Sequence, residues 1–250
     1  RYGLFASLAG GLGQLVDSAT GRLEERCRIR RGTRVLNIRR VKDPEGFRVE
    51  LDTGETIEAD AVVMAVPCGA AARLVAHLSK DLSDRLSEIE SASSIVVSTG
   101  YRLDQIDHPL DAYGLVVPYA ERRRVLAVSF ASRKLPGRAP EGRVLLRTFV
   151  GGELQPELVD RDDSEIERLV REELGALLGV RGDPEMVDVV RYPRMMPQYV
   201  VGHLDRVSEI DRLAAEIPGL ALAGNAFRGV GLPDCIASGV EAARSVLSAV

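Results

Sequence analysis

The chain has no tryptophan, only three cysteines and three histidines, and aromatic residues fill 4% of its 250 positions. Cys27, Cys68 and Cys235 are odd in number and widely spaced, which excludes a disulfide framework and a clustered zinc site. A reducing cytosol is the compartment such cysteines fit. His77, His108 and His203 are scattered without a carboxylate at a useful spacing, so no histidine-centred catalytic or metal constellation is read. No apolar run nears the roughly 18 residues that a bilayer-spanning helix needs, and no signal-peptide pattern is read. A net charge of −4 argues against bulk attraction to nucleic acid. A G-x-G-x-x-G turn is also missing. The early cluster Gly10-Gly11-Leu12-Gly13 has the wrong spacing and follows no strand-like run.

What is present is an ordinary globular balance, 45% hydrophobic and 28% charged, with enough chain for one or two domains. The densest signal lies near the carboxy terminus. Leu220 to Ala223 is a short uncharged run that suits a buried strand. Gly224, Gly229 and Gly231 follow, and glycine lets a backbone turn sharply or approach a ligand closely. Pro233 pre-sets the first turn of a helix and Asp234 favours its positive end. Ala237, Val240, Ala243, Val246 and Leu247 continue that helix at apolar spacing. Such a strand-to-helix corner offers unpaired amides to an electron-rich group. An isolated glycine-rich turn, however, is more often simple packing.

Upstream, Ser7 is placed to cap a helix carrying Leu12, Leu15, Val16, Ala19 and Leu23 on one face. Thr33 to Ile38 and Phe47 to Leu51 alternate as half-buried strands, joined by an Asp43-Pro44-Glu45-Gly46 turn, and Asp52-Thr53-Gly54 turns the chain again. Asp60 to Pro67 is a continuous apolar run like a buried parallel strand, and a helix from Gly69 to about His77 follows. Composition shifts after Ser91. Strand patterns at Ile95 to Tyr101, Gly114 to Pro118, Val125 to Phe130 and Val144 to Val150 precede one amphipathic helix with Ile166, Leu169, Val170, Leu174, Leu177 and Leu178 on its apolar face. Sheet strands followed by a covering helix predict an inserted α+β domain. Val187 to Tyr192 leads the chain back to the first domain, and Asp205 to Ala215 reads as a surface helix. The charge runs at Glu121 to Arg124 and Arg161 to Glu167 read as solvated faces.

Ala223-Gly224-Asn225-Ala226-Phe227-Arg228-Gly229-Val230-Gly231-Leu232-Pro233-Asp234-Cys235-Ile236 resembles the carboxy-terminal flavin-binding signature of oxygen-dependent protoporphyrinogen and coproporphyrinogen oxidases. Arg191-Tyr192-Pro193-Arg194-Met195-Met196-Pro197-Gln198-Tyr199-Val200-Val201-Gly202-His203 is similar to the segment that precedes it in that family, with a Pro-Gln-Tyr…Gly-His core. Ser7-Leu8-Ala9-Gly10-Gly11-Leu12-Gly13 is similar to the family's mid-chain Gly-Gly helix start. The three run in family order. The resemblance implies an α/β fold, part of a FAD-binding Rossmann-like domain at 1–91 and 187–250, with an α+β substrate domain inserted at 92–186. It implies FAD-dependent oxidation of a porphyrinogen with oxygen as acceptor, a cytoplasmic enzyme, and compatibility with a homodimer. The opening strand and G-x-G-x-x-G turn of such flavoproteins are missing, and the chain starts at Arg1 without Met. It is therefore expected to be the carboxy-terminal half, and any peripheral membrane contact would lie in the other half. Two other readings stay open: a related flavin amine oxidase or carotenoid desaturase, and a non-catalytic fragment.

The resemblance assigns residues one by one. Val35 matches a position whose backbone meets the adenine of the flavin cofactor, although from the residues alone it is equally a core valine. Tyr192 stands where the family usually has Trp beside the isoalloxazine. Val230, Gly231 and Leu232 match three residues facing the flavin pyrimidine, where the helix start at Pro233 would favour the anionic reduced ring. Tyr113, Val116 and Val150 match positions flanking the tetrapyrrole, and core packing explains them equally. His203 is expected to make a structural hydrogen bond, and Cys235 to pack a helix. No catalytic base is read.

Overall fold

The computed structural model describes residues 6–42 and 45–248. In chain order the first elements are α1 (Gly13–Glu24), β1 (Val35–Lys42), β2 (Glu45–Leu51), β3 (Thr56–Ala59), β4 (Val62–Met64), α2 (Cys68–Val75) and α3 (Lys80–Ser87). Next come β5 (Ser91–Arg102), β6 (Gly114–Val116), β7 (Val125–Phe130), α4 (Ala131–Lys134), β8 (Arg143–Gly151) and α5 (Asp163–Leu178). The last are β9 (Met186–Pro197), α6 (His203–Ala215), β10 (Leu220–Leu222) and α7 (Leu232–Leu247). The chain divides into two compact units, Arg30–Ser91 with Pro197–Val250 and Arg1–Ile29 with Ala92–Met196.

In the first of these, β1, β2 and β3 form the antiparallel meander that the alternating pattern predicts. Asp43 and Pro44 of the expected turn lie outside the described residues; Lys42 and Glu45 pair across it. At Gly46 the sheet is too close for a side chain, since a Cβ there would stand 2.8 Å from the Ala59 carbonyl oxygen. The apolar run at 60–67 contributes only its middle, β4, which pairs in parallel with β10 through Val62↔Leu220 and Leu222↔Met64. Parallel pairing requires a crossover. Here the crossover contains Ala92–Met196, the larger segment of the second unit. Phe47, Val75, Leu82, Leu86, Val207 and Ile210 are fully buried and join the meander to α2, α3 and α6. Ser79 starts α3 by accepting a hydrogen bond from the Leu82 amide at 3.2 Å.

The second unit is a five-stranded sheet in the order β6-β7-β8-β5-β9, covered on one face by α5. Asp162 caps that helix, its carboxylate accepting from the Glu165 amide at 2.8 Å, which holds its pKa below the usual range. Gly179 ends it in the left-handed region at φ 64°. Strand alternation turns Ile95, Val97, Tyr101, Val144, Leu146 and Val150 toward Ile166, Val170 and Leu174.

Three expectations change here. Ser7 does not cap α1, which starts at Gly13; its hydroxyl instead accepts from the Arg138 guanidinium at 3.1 Å. The stripe Leu12, Leu15, Val16 and Leu23 is exposed, and no residue of α1 is buried. A helical stripe signals a face able to pack, and the described residues do not cover it. Val187 to Tyr192 belongs to the sheet: it lies within β9, whose Val187 and Val189 pack on the sheet core.

Thr99 and Thr148 also point into that core, and neither hydroxyl has a hydrogen-bond partner there. A buried hydroxyl without a partner costs about 1–3 kcal/mol. Thr148→Val should therefore raise the urea midpoint of unfolding, by about 1 kcal/mol of stability. A lowered midpoint would mean that the hydroxyl is satisfied within the core.

Candidate functional site

The corner between β10 and α7 is built from the inside out. Leu220 and Ala221 are buried, and Gly224 turns at φ 130° while its amide donates to Ser238 Oγ at 3.1 Å. Asn225 to Gly229 then crosses over buried Ala226 and Phe227. Two side chains, Tyr199 ahead of α6 and His203 at its first position, hold this loop. Tyr199 Oη donates to the Asn225 carbonyl at 2.7 Å and accepts from the Gly229 amide at 3.0 Å. His203 Nε2 stands 2.8 Å from the Phe227 carbonyl. A carbonyl only accepts, so Nε2 carries the proton, and Nδ1 is left buried without a partner. The two rings stack, with centroids 3.9 Å apart and planes 13° from parallel. Burial holds the Tyr199 phenol above its ordinary pKa, the Gly229 amide acting in the opposite sense. It therefore remains a donor at neutral pH.

The loop delivers Val230, Gly231 and Leu232 to the first turn of α7. Gly231 is the extended N-cap, no side chain caps the helix, and Pro233 occupies the first turn. Of that turn, the Leu232 and Asp234 amides have no carbonyl one turn back within the helix and face an acceptor, since Pro233 has no N–H. Asp234 packs so closely behind the loop that a Cβ on Gly229 would stand 2.6 Å from its Cβ. Val230 is 63% exposed and Leu232 is also exposed, so the strip presents apolar flanks beside free amides. Val35 is half-buried and packs against the core that contains Ala226 and Phe227. Cys68, at the start of α2, is buried, which pushes its thiol up to about 11. Cys235 is half-buried beside Gly231, its amide donating to that residue's carbonyl at 2.9 Å.

The other predicted residues lie in the sheet unit. Tyr192 is exposed on β9. Tyr113, which precedes β6, is 53% exposed, and Val116 on β6 is 80% exposed. Val150 is the correction. It is 0% exposed and lies among the residues under α5, so its side chain cannot wall an open site. Neighbouring residues in a strand face opposite ways, and a shift of one position changes the face. Phe149 is the residue of β8 that shares Val116's face, through the pairs Val116↔Ala127 and Ala127↔Phe149. Its signal was the Val144, Leu146, Val150 alternation. Tyr199 precedes α6 and His203 begins it, so helical spacing in the sequence does not signal their pairing.

The description flavin containing amine oxidoreductase covers a family that matches residues 2–247. The chain belongs to that family. It is 32% identical over 249 residues to coproporphyrinogen III oxidase of Bacillus subtilis (strain 168), with 99% of this chain and 52% of that protein covered. Against coproporphyrinogen III oxidase of Propionibacterium freudenreichii subsp. freudenreichii it is 36% identical over 247 residues, covering 98% and 45%. A solved Exiguobacterium sp. 255-15 protein, provisionally assigned as a protoporphyrinogen oxidase, superposes with a TM-score of 0.84 at 30% identity, over 99% of this chain and 54% of that one. The chain thus spans about half the length of the curated relatives it matches. Reduced UDP-galactopyranose mutase, at 15% identity and a TM-score of 0.69, shares the fold alone.

FAD is the cofactor of this family. The residues present fit one part of it: an uncapped helix start with exposed amides suits an electron-rich ring edge. No turn for the pyrophosphate occurs in the sequence. The Tyr199 hydroxyl is the contact that fixes the loop, so Tyr199→Phe should lower stability by about 1 kcal/mol. It should also make the Asn225 to Gly229 loop more susceptible to limited proteolysis. Unchanged cleavage and an unchanged melting curve would mean that the two hydrogen bonds do not hold the loop.

Proposed function

We propose that this chain forms the carboxy-terminal part of a flavoenzyme that oxidises a porphyrinogen to the porphyrin, with oxygen as final acceptor. What carries the reading is the spread of identity to two coproporphyrinogen III oxidases along 98–99% of the chain, together with the loop-and-helix corner at its carboxy terminus. When bound, FAD supplies hydride acceptance. The chain's own part is positional. Val230, Gly231 and Leu232 meet the flavin pyrimidine edge, and the start of α7 lays positive potential there, favouring a more anionic ring. Val35 meets the adenine through its backbone. Tyr192 offers a flat amphipathic wall in place of Trp. Val116, Phe149 and Tyr113 offer an apolar surface suited to a flat macrocycle.

A cytosolic location accords with three unpaired cysteines. No helix among the described residues is long and apolar enough to cross a membrane. Peripheral membrane contact and a homodimer remain compatible with the reading. The substrate is a protoporphyrinogen or a coproporphyrinogen, and the names of the relatives favour the latter.

Porphyrin fluorescence, followed in air after adding coproporphyrinogen III to the FAD-loaded enzyme, tests the reaction. It should rise at a rate proportional to flavin content. The corner is tested by Gly231→Val, in which a branched side chain enters the strip facing the ring. This variant should lose most bound FAD or most turnover while its melting temperature stays within a few degrees of wild type. Full flavin content with normal turnover would reduce the corner to a structural turn.

A further inference from the structure

On the face of the five-stranded sheet opposite α5, Arg147 is exposed and has no ion pair among the described residues. The pairs Ser98↔Arg147 and Ser129↔Arg147 place Arg147 in the middle of the sheet, on the face opposite α5. Arg102 and Arg143 share that face, and each has a carboxylate: Asp104 at 3.0 Å and Glu185 at 2.5 Å. Among the described residues Arg147 has none. Its recorded contact is with the ring of Phe149, 5.9 Å from the guanidinium carbon to the centroid. Asp188, on the same side of β9, is two strands from β8, about 10 Å away, and makes no ion pair with it. Half-buried Ser98 and Ser129 flank Arg147 on either side, so three donors share one row. The adjacent row, about 7 Å along the strands, is Val116, Ala127, Phe149 and Val96, of which Val96 is buried and the first three offer apolar surface. Apolar surface beside an unpaired guanidinium complements a flat apolar body that carries a carboxylate.

We propose that Arg147, flanked by Ser98 and Ser129, is a carboxylate-binding subsite that holds one propionate of the porphyrinogen while the macrocycle lies against Phe149 and Val116. This rests on the porphyrinogen reading above. Arginine suits the task because its planar fork meets both oxygens of a carboxylate. The contact holds the ring without taking part in the oxidation, so it acts on substrate binding more than on turnover.

Steady-state kinetics of the FAD-loaded enzyme with coproporphyrinogen III, and titration of coproporphyrin III by fluorescence quenching, test this together. Arg147→Gln should raise KM and the porphyrin dissociation constant by roughly ten- to a hundred-fold with a smaller change in kcat. Arg147→Lys should restore part of the loss, and the tetramethyl ester of the porphyrin should bind wild type and Arg147→Gln alike. Flavin absorbance and the melting curve should not move. Active wild-type enzyme with unchanged KM and porphyrin binding in Arg147→Gln would overturn the subsite, as would loss of flavin or of folded protein in that variant. An inactive wild type whose porphyrin binding still depends on Arg147 would overturn the proposed reaction and leave the subsite standing.

Discussion

The chain reversal between β10 and α7 depends on two side chains, Tyr199 just ahead of α6 and His203 at its first position. Tyr199 bridges a carbonyl and an amide four residues apart, at Asn225 and Gly229, and His203 takes the carbonyl between them at Phe227. A loop of this length has many conformations, and fixing its backbone costs conformational entropy at each residue. Two stacked rings make few rotameric demands and satisfy three backbone groups at once. The direction in which Val230 to Leu232 emerges, and hence the aim of the α7 amides, follows from that arrangement. Gly202 permits it, turning at φ 85° so that His203 can begin α6 directly beneath the loop.

The sheet unit obeys a different constraint, the strict alternation of strand side chains. One face is closed by α5, whose cap at Asp162 and left-handed end at Gly179 fix its length over the sheet. Everything that alternates the other way stays uncovered by that helix. Phe149, Val116 and Arg147 therefore share a surface because Val150, Leu115 and Leu146 are needed for the core. Arg102 and Arg143 have acquired carboxylates on that face while Arg147 has not. Arg147 is exposed beside the Phe149 ring, and among the described residues its guanidinium has no carboxylate to neutralise it.

Much of this is legible in the amino-acid sequence. The strands at 125–130 and 144–150 and the helix at 166–178 announced themselves by periodicity and were placed within a few residues of β7, β8 and α5. The corner at Gly224 to Asp234 was readable because glycine and proline act through the backbone locally. What escaped depended on distance in sequence. The exposed stripe of α1 has the same period as a buried one, and only three-dimensional packing separates them. The run at 187–192 looks the same as a connecting strand and as an edge strand; its pairing with β5, nearly a hundred residues earlier, decides. Val150 was matched along the chain, while the facing of a residue is set by its own strand, and that strand turns Val150 into the core.

Hydrogen exchange, with and without FAD, reads the central proposal directly: the strip Val230 to Leu232 at the start of α7 is the part of this chain that meets the flavin ring. Adding FAD to the enzyme should slow exchange across Gly224 to Cys235 and leave α5 unchanged, because a bound ring would occupy the uncapped first turn of α7. Stoichiometric FAD binding with no protection anywhere in that segment would contradict the account, and the corner would then be only a turn.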